Sequence, residues 1–226
     1  MQPTFFPWAG YFNLISRSDA FVFLDDVQLE KQSWQTRNRI LLNGAPSWIS
    51  APVRHQNLHQ TIREVEICEK TAWRTRLLRT LTQGYARHPY RDEMLEVAKP
   101  LEELRTPLLA DLNIGLIMII CEKLGIAGNF SRSGDMGISG ERSERLIGIC
   151  EQLKCDEYLS PTGSRDYLAE DRFVERTSVR LTFQDFIPDP YPQPKTTGFV
   201  SHLSILDVAA SLGWERAAEY VRGRQN

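Results

Sequence analysis

Short runs of apolar residues alternate with longer amphipathic segments along this chain. Residues 20–24 (AFVFL) are continuously apolar and rich in β-prone side chains, which is typical of a buried strand. Residues 157–159 and 179–183 predict two more short strands. Strands that alternate with helices build a layered α/β fold with a mainly parallel sheet. We therefore expect these three segments to lie in one sheet, with helices packed against it.

A β-hairpin is predicted between residues 39–42 and residues 47–53. The dipeptide Asn43-Gly44 lies between these two segments, and both of its residues tolerate the positive φ angles of a tight two-residue turn. The residues of the turn and the apolar residues on both sides of it therefore both favour a β-hairpin.

Helical periodicity dominates the middle of the chain. Apolar residues recur at spacings of three and four in four segments, which are residues 71–85, 91–103, 107–124 and 141–153. A short helix is expected at residues 9–16, and further helices are expected from Ser201 onward. Another helix follows the turn at residues 160–164, where the Ser164 hydroxyl can cap it.

The domain organisation predicted from this pattern is a single α/β domain over residues 1–226. A chain of this length fits one large domain, and its 42% of hydrophobic residues suffice for a sizeable core. The helices at about residues 70–125 are expected to form a helical lobe or cap. A boundary near residue 60 or near residue 130 is the alternative that the sequence leaves open.

Charge and composition narrow the class of partner. Lys plus Arg is 27 and Asp plus Glu is 29, so a surface that collects nucleic-acid phosphates is not expected. The longest apolar run, residues 114–121, is far shorter than the roughly 20 residues of a membrane span. The N-terminus has no secretory pattern. The four cysteines, Cys68, Cys121, Cys150 and Cys155, form no CxxC pair and fit reduced thiols in the cytoplasm.

An ordered set of polar and aromatic residues covers nearly the whole chain. It begins with QPTFFPWAGYF at residues 2–12, DDVQ at residues 25–28 and RNRI at residues 37–40. It continues with Asn113, residues 143–146, residues 158–160, Tyr167-Leu168, Tyr191, Gln193 and residues 203–207. In order and spacing this set resembles the WbqC-like protein family.

The chain departs from that family's usual pattern at two places. Family members usually carry a short β-like segment before the Gln-Pro pair, and here that pair follows Met1 directly. The sequence therefore does not identify the strand that takes the first position in the predicted sheet. The family's usual Ser-Gly after the late Tyr-Leu pair is Ser160-Pro161 here, with Gly163 close by.

The resemblance implies an enzyme of bacterial surface-polysaccharide precursor synthesis. The reaction it suggests is transfer of an acyl or aminoacyl group to an amino sugar that is linked to a nucleotide. Two alternatives are a nucleotide-binding transferase that activates a carboxylate or transfers a nucleotidyl group, and a non-catalytic subunit that binds sugar nucleotides. In each case the partner is a small anionic molecule. The sequence identifies neither the acyl donor nor a cofactor, and the turn after residue 159 lacks the P-loop pattern.

Candidate catalytic groups are Asp25, Asp26 and His202. The two aspartates follow a predicted buried strand, at the sheet edge where α/β proteins bind ligands. A second carboxylate beside the first raises a pKa, which suits a general base. His202 precedes a predicted helix and is the alternative base. The structural alternative for the aspartates is that one caps a turn and the other is solvated.

Candidate ligand-binding groups follow the two aspartates. Lys31, Arg37 and Arg39 suit phosphate or carboxylate groups, because all three are cationic and the guanidinium of an arginine binds such anions in a bidentate way. The alternative is that they form ion pairs with the aspartates. Asn38 and Gln28 are expected to orient a substrate. We expect Asp25, Arg37 and Asn38 to line one pocket.

Other candidate binding residues are spread along the chain: Gln2 and Tyr11 in the N-terminal segment, Asn113 in an apolar helix, Ser160 after a strand, and Tyr191 and Gln193 in a proline-rich loop. Asn113 can bind a ligand or tie down a loop, since a buried amide needs partners. His55 and His59 are four residues apart but have no evident third ligand, so no metal site is predicted.

Overall fold

Helices and short strands alternate along the chain in this computed structural model, which describes residues 1–54, 57, 59–104 and 106–223. The α-helices are α1 (Ala9–Ser16), α2 (Trp73–Gly84), α3 (Arg91–Glu96), α4 (Pro100–Glu103), α5 (Leu109–Lys123), α6 (Arg142–Leu153), α7 (Arg165–Glu170), α8 (Phe173–Arg176) and α9 (Ile205–Arg222). The strands are β1 (Ala20–Phe23), β2 (Arg37–Leu42), β3 (Ala45–Ser50), β4 (Val53–Arg54), β5 (Glu66–Ile67), β6 (Asn129–Arg132), β7 (Glu157–Ser160) and β8 (Arg180–Phe183).

The strands pair into small two-stranded sheets. β1 pairs with β6 and β7 pairs with β8, both in parallel. β2 pairs with β3 and β4 pairs with β5, both antiparallel. The parallel pairs join strands that are separated by helices, which confirms the α/β class predicted from the sequence.

The expectation that residues 20–24, 157–159 and 179–183 share one sheet is confirmed for the last two segments, which pair as β7 and β8, and is wrong for residues 20–24. β1 hydrogen-bonds to β6 on one edge, and the backbone of Met1 occupies the other edge. The Met1 nitrogen donates to the Val22 carbonyl at 2.8 Å, and the Leu24 nitrogen donates to the Met1 carbonyl at 2.8 Å. A cavity of about 470 Å³ separates this edge from β7. Met1 therefore provides the pairing that the apolar pattern attributed to another strand.

The predicted hairpin is confirmed, with a shorter second strand. Asn43 and Gly44 have φ angles of 53° and 82°, as a tight turn between β2 and β3 requires. The second strand ends at Ser50 and not at Val53, because Pro52 has no backbone N–H to donate to a ladder.

Two helical predictions are corrected by local chemistry. The predicted helix at residues 91–103 is divided into α3 and α4, since the Pro100 ring is incompatible with a helical carbonyl four residues earlier. The predicted Ser164 cap is wrong. Ser164 already lies in the 3₁₀ turn Thr162–Ser164 with φ −92° and ψ −5°, and its side chain makes no capping hydrogen bond.

A small hydrophobic cluster joins α6, α7 and α8, and a large one extends from the N-terminal segment to the C-terminal helix. Phe12 of α1, Leu81 of α2, Ile117 of α5 and Leu206 of α9 are all fully buried in it. α9 packs against α1 and α3, and it is interrupted at Gly213, where φ is 77°. Among the described residues no helix has the length and apolar character that crossing a membrane requires.

Candidate functional site

The N-terminal loop, residues 2–8, is held in place by buried amide side chains. The Asn113 amide donates to the carbonyls of Pro3 and Gln35, both at 2.9 Å. The Asn38 amide donates to the Phe6 carbonyl at 2.8 Å. Buried backbone carbonyls need partners, and these two amide side chains supply them here. Asn113 therefore ties down a loop, which is one of the two roles that the sequence left open for it.

One residue within this loop and one residue next to it have left-handed backbone conformations. Phe6 has φ 42° and His202 has φ 58°, and neither is a glycine. Phe6 also precedes a proline, which further restricts its backbone. Strained conformations persist only where the surrounding structure imposes them, and they concentrate at functional sites.

The Trp8 ring lies against Gly10 of α1, because Gly10 has no side chain. A Cβ atom built at Gly10 would lie 2.2 Å from the Trp8 ring, so only glycine permits this contact. The indole also contacts the His202 imidazole, with centroids 4.5 Å apart and planes tilted by 32°. The backbones of Trp8 and Ser204 also form an antiparallel bridge. Trp8 therefore joins the N-terminal loop to the segment that carries His202.

Gly10→Ala should displace Trp8 and lower the free energy of unfolding by about 1–3 kcal/mol, the usual cost of overpacking. We expect a shift in tryptophan emission together with the lower midpoint of urea unfolding. Gly115→Ala in α5 is the matched control, since its added Cβ meets only a Leu104 methyl at 3.7 Å. That change should be neutral or stabilising by up to about 1 kcal/mol. Equal effects of the two changes would contradict the Trp8 contact.

A cavity of about 630 Å³ opens between the N-terminal loop and the segment from β7 to α7. Its lining is mainly aromatic and polar: Met1, Gln2, Thr4, Trp8, Tyr11, Leu24, Trp34, Gln35, Asn38, Tyr158, Pro161, Gly163, Ser164, Tyr167 and His202. Cavities of this size hold small molecules, with aromatic walls for contact and a few polar groups for orientation.

Four of the residues proposed from the sequence meet in this cavity: Gln2, Tyr11, Asn38 and His202. The Tyr11 hydroxyl donates to the Gln2 carbonyl at 3.1 Å, and burial raises the pKa of Tyr11 well above its usual value. Tyr11 is thus a neutral hydrogen-bonding group. The Asn38 side chain is already engaged by the loop and by the Arg39 nitrogen.

His202 is the titratable group whose properties suit proton transfer. His202 keeps contact with solvent, but partial burial lowers its pKa below the usual 6.5, and the nearby positive charge of Arg39 lowers it further. Its Nδ1 atom lies 2.8 Å from the Ser201 hydroxyl. At neutral pH the imidazole is therefore uncharged and can accept a proton.

The two aspartates are engaged elsewhere. Asp25 is fully buried, and its carboxylate accepts from Arg132 Nε at 2.7 Å and from the Gly134 nitrogen at 3.0 Å. Asp26 accepts from Arg145 and from the Ser133 hydroxyl. Both carboxylates therefore connect the end of β1 to the segment that follows β6 and to α6.

The expectation that Asp25, Arg37 and Asn38 line one pocket is not met, because only Asn38 lines this cavity. Arg132 and Arg145 are the cations that bind the aspartates. Sequence reasoning did not single them out for this. They lie 107 and 119 residues from their partners, and no local pattern links positions so far apart.

Arg37 and Arg39 lie on the solvent side of β2, next to the cavity. The Arg37 guanidinium lies 4.1 Å from the centroid of the Trp48 ring, and that of Arg39 lies 6.0 Å from the Trp34 ring. Trp34 also lines the cavity, so these side chains extend its mouth. Trp34 and Trp48 are exposed aromatic residues that sequence reasoning did not assign to the site.

Three other candidates support loops outside the cavity lining. The Ser160 hydroxyl is directed at the Pro161 carbonyl at 3.4 Å. The Tyr191 hydroxyl donates to the buried Asp207 carboxylate at 2.8 Å. The Gln193 side chain is bonded to both backbone groups of Val200 at 2.8 Å.

The remaining candidates are exposed or lie outside the described residues. Lys31 and Gln28 are exposed and are not part of the cavity lining, and the Gln28 backbone forms a bridge with Thr61. His55 lies outside the described residues.

Cys121 and Cys150 are buried free thiols, and burial raises their pKa values to about 12 and about 11, which makes both thiols poor nucleophiles.

The fold and the site define an α/β protein with an aromatic and polar cavity between a fixed N-terminal loop and the β7–α7 segment. The model of the WbqC-like protein family matches residues 2–219, and the chain belongs to this family. It is similar to the uncharacterised protein Rv1507c of Mycobacterium tuberculosis, with 35% identity over 227 aligned positions that cover 98% of this chain and 96% of that protein. No solved structure matches this chain.

Proposed function

We propose that this protein is an enzyme of bacterial surface-polysaccharide precursor synthesis. It transfers an acyl or aminoacyl group to the amine of an amino sugar that is linked to a nucleotide. The observation that carries the proposal is His202, an imidazole with a lowered pKa on the wall of a cavity of about 630 Å³. An acyl transfer to an amine needs such a base, because the amine loses a proton as it attacks.

The cavity walls suit a sugar ring. Trp8 and Tyr167 contribute aromatic rings to the lining, and Gln2 and Ser164 supply polar groups that can orient hydroxyls. The contact between Trp8 and His202 holds the imidazole in the cavity wall. A base held in one orientation loses less freedom when the substrate binds, which favours the reaction.

The transfer step forms a bond between the sugar nitrogen and the acyl carbon. The bond between that carbon and its carrier breaks, and the carrier leaves with the electron pair. His202 takes the proton that the nitrogen loses and returns it to the leaving group. We assign this role to His202 and not to the aspartates, because both carboxylates are bound by arginines outside the cavity lining.

A thermal-shift panel with product analysis tests this function. Nucleotide-linked amino sugars should raise the melting temperature, and acyl-CoA or aminoacyl donors should then give a product with one added acyl mass. The matched control is the nucleotide sugar with a hydroxyl in place of the amine, which should bind and remain unmodified.

Two results would overturn the proposal in favour of its alternatives. A shift that needs a nucleoside triphosphate together with magnesium would favour nucleotidyl transfer or carboxylate activation. A shift with nucleotide sugars but no product with any donor class would favour a non-catalytic binding subunit.

A further inference from the structure

The solvent-facing side of the β2–β3 hairpin carries an unusual set of side chains. Arg37 and Arg39 alternate with the buried Asn38 along β2, so both arginines lie on the outer face. Trp48 is opposite Arg39 in the antiparallel register and shares that face. Trp34 precedes β2 and lies 5.5 Å from Trp48 between ring centroids. We call these four residues the Trp–Arg face.

The two tryptophans of the Trp–Arg face are exposed. Trp34 is 47% accessible to solvent and Trp48 is 50% accessible. Indole rings are large apolar groups, and exposed aromatic clusters mark binding surfaces more often than chance positions. Aromatic faces that remain accessible can stack on nucleobases of any sequence, because every base presents a π-face.

Neither arginine of this face is neutralised by a carboxylate of the described residues. Within the part of the chain that the structure describes, neither Arg37 nor Arg39 forms an ion pair, whereas Arg132 and Arg145 are both paired. The Nε atoms of Arg37 and Arg39 are shielded from solvent and have no hydrogen-bond partner there. Buried donors without partners are rare in native proteins. An anionic ligand would bind the outer nitrogens of these guanidinium groups, because the buried Nε atoms cannot be reached from solvent.

The Trp–Arg face is continuous with the cavity. Trp34 belongs to both, and the charge of Arg39 acts on His202 inside the cavity. Alternate positions on one strand lie roughly 7 Å apart, so two arginines there can reach both phosphates of a diphosphate. A ligand bound across Trp34 would therefore have its anionic part on the Trp–Arg face and its other end inside the cavity.

We propose that the Trp–Arg face binds the nucleoside diphosphate part of the ligand. The base stacks on the Trp34–Trp48 pair, and Arg37 and Arg39 bind the two phosphates. The sugar then passes Trp34 and enters the cavity. The placement of the sugar in the cavity rests on the proposed function. The binding of the nucleotide to the Trp–Arg face is tested independently of it.

Titration of the protein with a nucleoside diphosphate alone tests this proposal. UDP, ADP, GDP and CDP are added in turn, and binding is followed by calorimetry and by quenching of tryptophan fluorescence. At least one of them should bind the unmodified protein. Arg37→Ala should then raise the dissociation constant about tenfold or more, since it removes a charge-assisted hydrogen bond. Trp48→Ala should raise it about 5- to 150-fold, and Trp48→Phe should recover most of the affinity.

Arg79→Ala is the matched control, because it removes one exposed cation from α2 that is not part of the Trp–Arg face. This change should leave the dissociation constant unchanged, and each variant should keep the melting temperature of the unliganded protein. Equal affinity in all variants, or no binding of any nucleoside diphosphate, would overturn the proposal. Self-association that disappears in Trp48→Ala, without nucleotide binding, would instead make this face an interface between copies of the chain.

The result separates this proposal from the proposed function. Nucleotide binding that depends on Trp48 and Arg37, without acyl transfer to any amino sugar, would support the Trp–Arg face and overturn the enzymatic assignment. If the protein transfers an acyl group to an amino sugar and the rate is the same in Trp48→Ala and Arg37→Ala, the proposed function would be supported and the Trp–Arg face would be overturned as the nucleotide site.

Discussion

Arg132→Met should lower the free energy of unfolding by about 3–5 kcal/mol, because it leaves the Asp25 carboxylate buried without a cation. Asp25 is fully buried at the end of β1, and Arg132 Nε lies 2.7 Å from its Oδ2 atom. The same guanidinium also binds Asp111 of α5 at 2.7 Å. One side chain therefore joins β6, β1 and α5. Methionine keeps the length of the side chain but supplies no charge.

Urea unfolding of the variant measures this loss. Arg180→Met in β8 is the matched control, since Arg180 pairs with Glu157 at 2.6 Å on the surface, with side chains 68% and 38% accessible. Exposed ion pairs contribute about 0–1 kcal/mol, so the control should change little. The double change Asp25→Asn with Arg132→Met should recover part of the lost stability, because it removes the stranded charge.

A loss below about 1 kcal/mol in Arg132→Met would mean that the Asp25 carboxylate can reach water or another partner. In that case Asp25 would again be a candidate base, as its position after an apolar strand first indicated.

His202→Gln should reduce the rate of acyl transfer about 10²- to 10⁴-fold and leave the dissociation constant of the nucleotide sugar nearly unchanged. Glutamine is similar in size and can still form hydrogen bonds, but it cannot take up the proton that the amine releases. His59→Gln, in an exposed position outside the cavity lining, is the control and should retain the full rate.

The dependence of the rate on pH provides a second measurement of the same role. Burial and Arg39 lower the pKa of His202 below 6.5, so the uncharged form already predominates at pH 7. The rate should rise with pH through that lowered pKa and then level off. Arg39→Gln should raise the pKa of His202 and move the rise to higher pH. A rate that is independent of pH in this range, or is retained in His202→Gln, would exclude His202 as the base.

Local patterns were sufficient to predict the hairpin and part of the cavity. The Asn43-Gly44 dipeptide specifies its own turn, because few residues accept two successive positive φ angles. The ordered signature from residue 2 to residue 40 supplied Gln2, Tyr11 and Asn38, which line the cavity, since a fixed loop and the adjacent strand converge there.

The pairing of distant segments was not predictable in this way. An apolar strand such as residues 20–24 needs partners on two edges, but its sequence does not specify that Met1 takes one of them. The sequence pattern of an aspartate after such a strand is the same whether its carboxylate faces a ligand or an arginine that is distant in the sequence. Asp25 and Arg132 are 107 residues apart, and only the folded arrangement shows that they meet.

The buried amides that hold the N-terminal loop also affect the entropy of ligand binding. With the carbonyls of Pro3 and Phe6 already bound by Asn113 and Asn38, this wall of the cavity has its final conformation before any ligand arrives. Ordering a loop or an interface side chain costs free energy that is subtracted from affinity. A ligand in this cavity orders no backbone on that side, so this particular cost is not subtracted from its affinity.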